Sequence, residues 1–197
     1  MDKMVDLSID GKSVAVPEGT RIIEACKLAG VTIPSLCYLQ DVSAHGSCGI
    51  CVVEIEGFKR LVRSCMHMVQ KDMVIHTHTE RVMQARKMNL ELLLANHPLL
   101  CTTCERNLNC TLQSLAWQLG VRESRFGRTK KQVLPIDCSS ASIVRNPNAC
   151  ILCNRCVEVC ASMQEVHAID MMQRGLRTTV STFFDEGLGA SVCTNCG

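Results

Sequence analysis

Apolar and polar residues alternate over Val5–Ile9 and again over Ser13–Val16, with Asp10-Gly11 between the two runs. A period of two marks a half-buried strand, and Asp-Gly between two such runs predicts a β-hairpin with a type I′ turn. Pro17-Glu18-Gly19 supplies a second turn. The period then changes. Ile22, Ile23, Cys26 and Ala29 fall on one face of a helix, with Thr20 placed to cap its start and Gly30 to close it. Cys51–Glu56 alternates again, and Leu61–Ser64 and Met73–His76 are further short strands. Hairpin, helix and returning strands predict a small β-grasp unit over residues 1–78.

From Glu80 to Asn96 the chain is rich in helix formers and free of Gly and Pro, which predicts one long helix. Pro98 ends it, because His97, the residue before proline, is pushed out of the helical region. A second helix is predicted over Leu108–Leu119, closed by Gly120, with Leu112, Leu115, Ala116 and Leu119 as its buried face. Residues 79–121 thus form a small helical unit. Arg122–Lys131 is basic and contains Gly. It reads as a solvated connector, or else as a docking surface for an acidic partner, within a linker spanning 122–138. A third unit, 139–197, is punctuated by cysteines and weakly periodic. The whole predicts an α+β chain.

Composition explains what holds such a chain together. It has 197 residues and 15 cysteines, but its only aromatics are Trp117, Tyr38 and four Phe. The 47% apolar share is inflated by cysteine, so the ordinary core is thin. The net charge of +2, from 21 Lys and Arg against 19 Asp and Glu, argues against nucleic-acid binding. Asp2, Lys3 and Asp6 interrupt the first residues, so no signal peptide is expected. No apolar run approaches the ~18 residues of a membrane span, so direct membrane insertion is not expected either. A cytoplasmic location follows, where thiols stay reduced. Cysteines at this density are then metal ligands rather than disulfides, and their odd number agrees.

The ligands fall into sets. Cys37, Cys48, Cys51 and Cys65 are separated by ten, two and thirteen residues. Gly46 and Gly49 allow close backbone approach, so that amide N–H groups can point at sulfur. Zinc accepts the same four thiolates, but the β-grasp context favours a [2Fe–2S] cluster of plant-ferredoxin type with a longer loop, Tyr38–Ser47. His97, Cys101, Cys104 and Cys110 have gaps of three, two and five and suit a [4Fe–4S] cluster. One neutral imidazole among three thiolates makes that site easier to reduce. Cys150, Cys153, Cys156 and Cys160 follow the Cys-x₂-Cys-x₂-Cys-x₃-Cys run of bacterial ferredoxins, with Ala161 where Pro is usual. Cys193 and Cys196 begin a second run. This gives one [4Fe–4S] set of Cys150, Cys153 and Cys156 and another of Cys160, Cys193 and Cys196. Each lacks a fourth ligand, which would come from missing sequence, a partner or solvent, so the chain is expected to be part of a longer polypeptide. One [2Fe–2S] and two to three [4Fe–4S] clusters are therefore expected. Cys26 reads as core and Cys138 has no assigned role. His45, His67, His76, His78 and His167 read as surface or structural, His45 being the one inside a ligand loop.

These runs resemble a known family. Cys37/Cys48/Cys51/Cys65 with the HPLLCTTCERNLNC stretch look like the N-terminal half of the large iron–sulfur subunit of respiratory complex I. They look equally like the matching modules of NAD(P)-linked hydrogenases and formate dehydrogenases. Cys160 and the Cys193/Cys196 run add a two-cluster ferredoxin unit, which resembles the soluble hydrogenase type. That type comprises the accessory domain of [FeFe] hydrogenase catalytic subunits and the diaphorase-side subunit of NAD-reducing [NiFe] hydrogenases. The resemblance implies an electron-transfer component between a flavin-containing, NAD(P)H-oxidising subunit and a hydrogenase catalytic subunit or domain. Some members bifurcate electrons, with a thioredoxin-like [2Fe–2S] subunit and ferredoxin as further partners. No Gly-rich nucleotide motif and no nucleophile–base pair is evident, so no catalytic residue is expected in this chain. The rival readings are the iron–sulfur subunit of an NAD-dependent formate dehydrogenase or complex I-type enzyme and, from another class, a zinc-stabilised binding module.

Overall fold

A computed structural model describes residues 3–126 and 133–197. Strand β1 (Met4–Ile9) pairs antiparallel with β2 (Lys12–Pro17), placing Val5 opposite Val16 and Leu7 opposite Val14. Asp10 and Gly11, at φ 49° and 80°, make the turn expected of Asp-Gly. Helix α1 (Ile22–Leu28) begins later than its sequence suggests. Thr20 is not its cap: the Thr20 hydroxyl donates to Pro17 O at 2.6 Å and closes the preceding turn. Arg21 takes the capping position without a side-chain bond. The helix end is as expected: Gly30 N–H donates to Lys27 O and Val31 N–H to Cys26 O, a Schellman closure.

Strands β3 (Val52–Ile55), β4 (Val62–Arg63) and β5 (Val74–His76) complete a five-stranded sheet of order β2-β1-β5-β3-β4. Only β1 and β5 run parallel, with Ser8 opposite Val74. Ile22, Ile23 and Cys26 of α1 pack against Leu7, Ile9, Val53 and Ile75. This is the β-grasp arrangement.

Helix α2 (Glu80–Ala95) starts where Thr79 Oγ1 accepts from Val82 N–H at 3.2 Å. Helix α3 (Thr111–Gln118) begins three residues beyond the expected Leu108. Leu108 is left-handed (φ 62°) and Cys110 extended (φ −131°), because the chain is bent around its cysteines there. Val121 N–H donates to Ala116 O, and Leu112, Leu115 and Leu119 are buried as expected. A second core joins these helices to the first ligand loop: Leu36, Cys37, Cys48 and Ile50 pack with Leu90, Leu94, Leu112 and Leu115.

Of the basic connector, residues 127–132 lie outside the described residues; just before them Arg125 Nε donates to Glu91 Oε2 at 2.7 Å. Farther on, Asp137 and Arg145 exchange backbone hydrogen bonds at 2.9 Å. Helix α4 (Arg155–Glu158) runs into a π-helical turn over Val159–Met163, and β6 (Asp170–Met172) pairs antiparallel with β7 (Thr179–Ser181). The Asp137 carboxylate accepts from Ser139 and from Leu188 N–H, tying the stretch before Ser139 to the 3₁₀ turn at Leu188. Among the described residues no helix is long and apolar enough to cross a membrane.

Candidate iron–sulfur sites

The four thiols of the first set lie at the seam between the two cores. Cys51 and Cys65 belong to the sheet core, Cys37 and Cys48 to the helical one. The sulfurs pair along the same division: Cys37 Sγ is 3.4 Å from Cys48 Sγ, and Cys51 Sγ is 3.3 Å from Cys65 Sγ. None is in a disulfide, and all four are buried. Two thiolates on one tetrahedral ion at ~2.3 Å bond length stand about 3.8 Å apart, so each pair needs only slight widening to hold one iron of a binuclear centre.

The polar surroundings suit an anion. Backbone N–H groups of Cys48 and Ser47 face the Cys37 sulfur, and those of Ile50 and Leu36 face that of Cys48. The neighbouring Cys48 and Cys65 thiols, together with these N–H groups, hold the Cys37 thiol far below the ordinary thiol range. Cys48 and Cys65 are pushed up in turn, Cys48 chiefly by its neighbour Cys37 and Cys65 by Cys37 and Cys51. Cys51 falls to about 7, chiefly through its hydrogen bond with Cys65. Burial pushes the lone Cys26 up to about 12, which fits the inert core role expected of it.

Gly49 holds the loop close to α2. Its φ is +64°, and a Cβ there would stand 2.9 Å from Asn89 Nδ2. Asn89 Nδ2 in turn donates to Gly49 O at 2.7 Å. The sequence pattern did not single out Asn89, since a polar side chain on a long helix carries no local signal. It also missed Arg86, a cation in the middle of the buried Val82–Leu90–Leu94 stripe. That break in an i, i+4 apolar series was visible.

His97, Cys101, Cys104 and Cys110 line one cleft of about 750 Å³ between the end of α2 and α3. Arg106 N–H donates to Cys104 Sγ at 3.4 Å. Gln113 accepts from Leu108 N–H and donates to Asn107, both at 2.9 Å, which fixes the bend before Cys110. Leu100, Arg106 and Trp117 share the cleft, and Trp117 is 87% exposed.

In the third run, Leu152 and Asn154 take left-handed φ values of 55° and 67° and fold the Cys150–Cys156 segment on itself. Leu152 N–H donates to Cys150 Sγ at 3.4 Å. Cys156 is exposed; partial desolvation by its surroundings and then the nearby Cys150 and Cys153 raise its thiol pKa. Cys160 sits in the π-helical turn with Ala168 N–H on its sulfur at 3.2 Å. Cys193 and Cys196 follow a 3₁₀ turn, and Asn195 between them accepts from the Ser140 hydroxyl. Among the described residues, direct sulfur–sulfur hydrogen bonds occur in the first set; Cys160 is not joined in this way to Cys193 or Cys196. His45 bridges two runs: its Nε2 lies 2.7 Å from Glu158 Oε1, between Cys156 and Cys160.

Comparison with known proteins agrees with this geometry. Residues 2–80 match the 2Fe-2S iron-sulfur cluster binding domain, and residues 86–125 match the NADH-ubiquinone oxidoreductase-G iron-sulfur binding region. Over 98% of its length the chain is 40% identical to the NADP-reducing hydrogenase subunit HndD of Solidesulfovibrio fructosivorans, of which it covers 34%. It is 37% identical to the NADPH-Fe(3+) oxidoreductase subunit alpha of Geobacter sulfurreducens, covering 98% of this chain and 23% of that protein. The chain therefore spans about a third or less of these curated relatives. A chain of an NAD+-reducing [NiFe]-hydrogenase solved in the H2-reduced state is 31% identical, with a TM-score of 0.87 over 95% of this chain and 79% of that one. Both matched regions are iron–sulfur binding, so the zinc reading gives way to [2Fe–2S] and [4Fe–4S] ligation. With its paired thiols, its His-Cys cleft and these relatives, the chain belongs to the family of iron–sulfur modules shared by NAD(P)-linked hydrogenases and the large iron–sulfur subunit of complex I.

Proposed function

We propose that this chain is the iron–sulfur electron-transfer module of a soluble, multi-subunit NAD(P)-linked hydrogenase. It connects a flavin-containing, NAD(P)H-oxidising subunit with a hydrogen-activating centre, within the cytoplasm. The observation that carries the reading is a pair of ligand sites: four buried thiols paired two and two at the seam of the two cores, and a cleft lined by His97, Cys101, Cys104 and Cys110 beside the helical core. Cys37, Cys48, Cys51 and Cys65 would hold a [2Fe–2S] cluster, and His97 with its three cysteines a [4Fe–4S] cluster. Cys150, Cys153 and Cys156, and Cys160 with Cys193 and Cys196, would serve up to two more. Such groups supply one-electron exchange. The protein holds them, aims amide N–H groups at their sulfurs and excludes water from the first site. The units proposed to carry them are residues 1–78, 79–121 and 139–197, with a linker over 122–138.

Chemical analysis of anaerobically prepared protein tests the reading: iron, acid-labile sulfide and visible absorption are expected together. Colourless protein holding zinc alone would end it. A second reading, a role in a complex I-type or formate dehydrogenase assembly, is favoured by the 36% identity over 98% of the chain to an NADH-quinone oxidoreductase subunit of Rhizobium meliloti. Co-purification separates the two, a hydrogenase subunit supporting the first reading and a quinone-reductase or molybdenum subunit the second.

A further inference from the structure

Helix α2 buries two charged side chains, Arg86 and Glu91, and only Glu91 has an ion-pair partner among the described residues, Arg125. Val82, Leu90 and Leu94 are buried along one face, and in the gap of the four-residue series stands Arg86, 2% exposed. A leucine would fit that stripe, and an arginine there must be compensated, because an unpaired buried charge costs far more than a buried apolar group. No carboxylate compensates it: among the described residues Arg86 makes no ion pair. Its Nη2 donates to Val52 O at 2.9 Å, while its Nε is buried without a partner. The acidic groups that act on it are Cys51, then Cys26, then Asp10. Cys51 is the residue before Val52, so the bond to Val52 O anchors the guanidinium one residue along the backbone from a member of the first thiol set. The protonated Cys26 thiol cannot serve as a standing counter-charge.

We propose that Arg86 is the built-in counter-ion of the [2Fe–2S] site, a positioning residue whose fixed positive charge makes that site easier to reduce. The inference rests on the [2Fe–2S] reading of Cys37, Cys48, Cys51 and Cys65. Four thiolates around a [2Fe–2S] core are net anionic, and one-electron reduction by an external donor adds a further negative charge without a proton. A cation inside the same low-dielectric seam favours the more negative state. It also explains why the cation is tolerated, since the ligand set it serves supplies its partner.

The test uses the full chain loaded with iron and sulfide, its slowly relaxing [2Fe–2S] signal followed by EPR-monitored redox titration. Arg86→Met removes the charge at similar volume and should disfavour reduction about tenfold or more, a midpoint about 59 mV lower or beyond. Arg86→Lys keeps the charge and should hold most of the wild-type potential. In the iron-free chain Arg86→Met should be at least as resistant to urea as wild type, because the uncompensated cation is gone. An unchanged midpoint in Arg86→Met, or an equal fall in Arg86→Lys, overturns the proposal. If Arg86→Met fails to retain the cluster while Arg86→Lys retains it, the charge requirement stands; if both lose it, Arg86 is only a structural donor to Val52 and the proposal falls. A wild-type chain without any [2Fe–2S] signal would instead refute the cluster reading itself.

Discussion

Single side chains set the electrical character of each site. At the second site the decisive one is His97, proposed as the neutral ligand among three thiolates. His97→Cys replaces imidazole by an anion, so a [4Fe–4S] cluster should persist with its midpoint lowered by about 60 mV or more. An unchanged potential in an EPR-monitored titration contradicts the assignment. At the first site the decisive residue is the smallest one. Gly49 combines a left-handed backbone with a side-chain direction blocked by Asn89. Gly49→Ala should therefore destabilise the loaded chain by about 1–2 kcal/mol, read from urea unfolding, and release iron to a chelator faster. Retention of wild-type stability would show that the loop is not held against α2.

At the scale of elements, short local bonds decide where helices begin and how the hairpin docks. Thr79 caps α2 and also donates to Glu54 Oε2 at 2.7 Å, linking the helix start to β3. Thr79→Ala should cost about 1 kcal/mol, seen as a lower Tm. The hairpin turn is pinned by Asp10, whose carboxylate accepts from Thr77 N–H at 2.8 Å and from its hydroxyl at 2.6 Å. Burial alone would raise the Asp10 pKa, but these bonds and the neighbouring His78 and His76 outweigh it, and the pKa lies below its ordinary 3.8. A carboxylate depressed in the folded state stabilises above its unfolded pKa. Its contribution is lost as pH falls from that value through the lower folded one. Thermal melts of Asp10→Asn against wild type should thus differ most near neutral pH and converge in strong acid. A difference that stays constant down to the most acid melt would remove the charge from the explanation.

For the molecule as a whole, the first thiol set sits where the sheet core meets the helical core. Loss of the bound group should loosen this seam before it loosens either core, since metal binding and folding are coupled. On removal of iron and sulfide, amide hydrogen exchange should rise over residues 37–65 and 97–110, while the β1–β2 hairpin stays protected. Uniform protection in the iron-free chain would show that the scaffold forms without its clusters.

The sequence alone made the β-grasp unit and both helices readable, and it marked out the candidate ligand sets. Each depends on neighbours along the chain: alternation for the strands, Asp-Gly for the turn, Gly30 and Gly120 for helix ends, and spacing for the cysteines. Where those local rules failed, a rival bond had taken the group in question. The Thr20 hydroxyl was drawn into the Pro17 turn, and the start of α3 was delayed by the bend at Leu108 and Cys110. The pairing of Cys37 with Cys48 and of Cys51 with Cys65, the burial of Arg86 against Val52, and the bridge from His45 to Glu158 were decided by tertiary structure alone. Such contacts join segments far apart in the chain. They form only once distant segments have packed together, which no local pattern records.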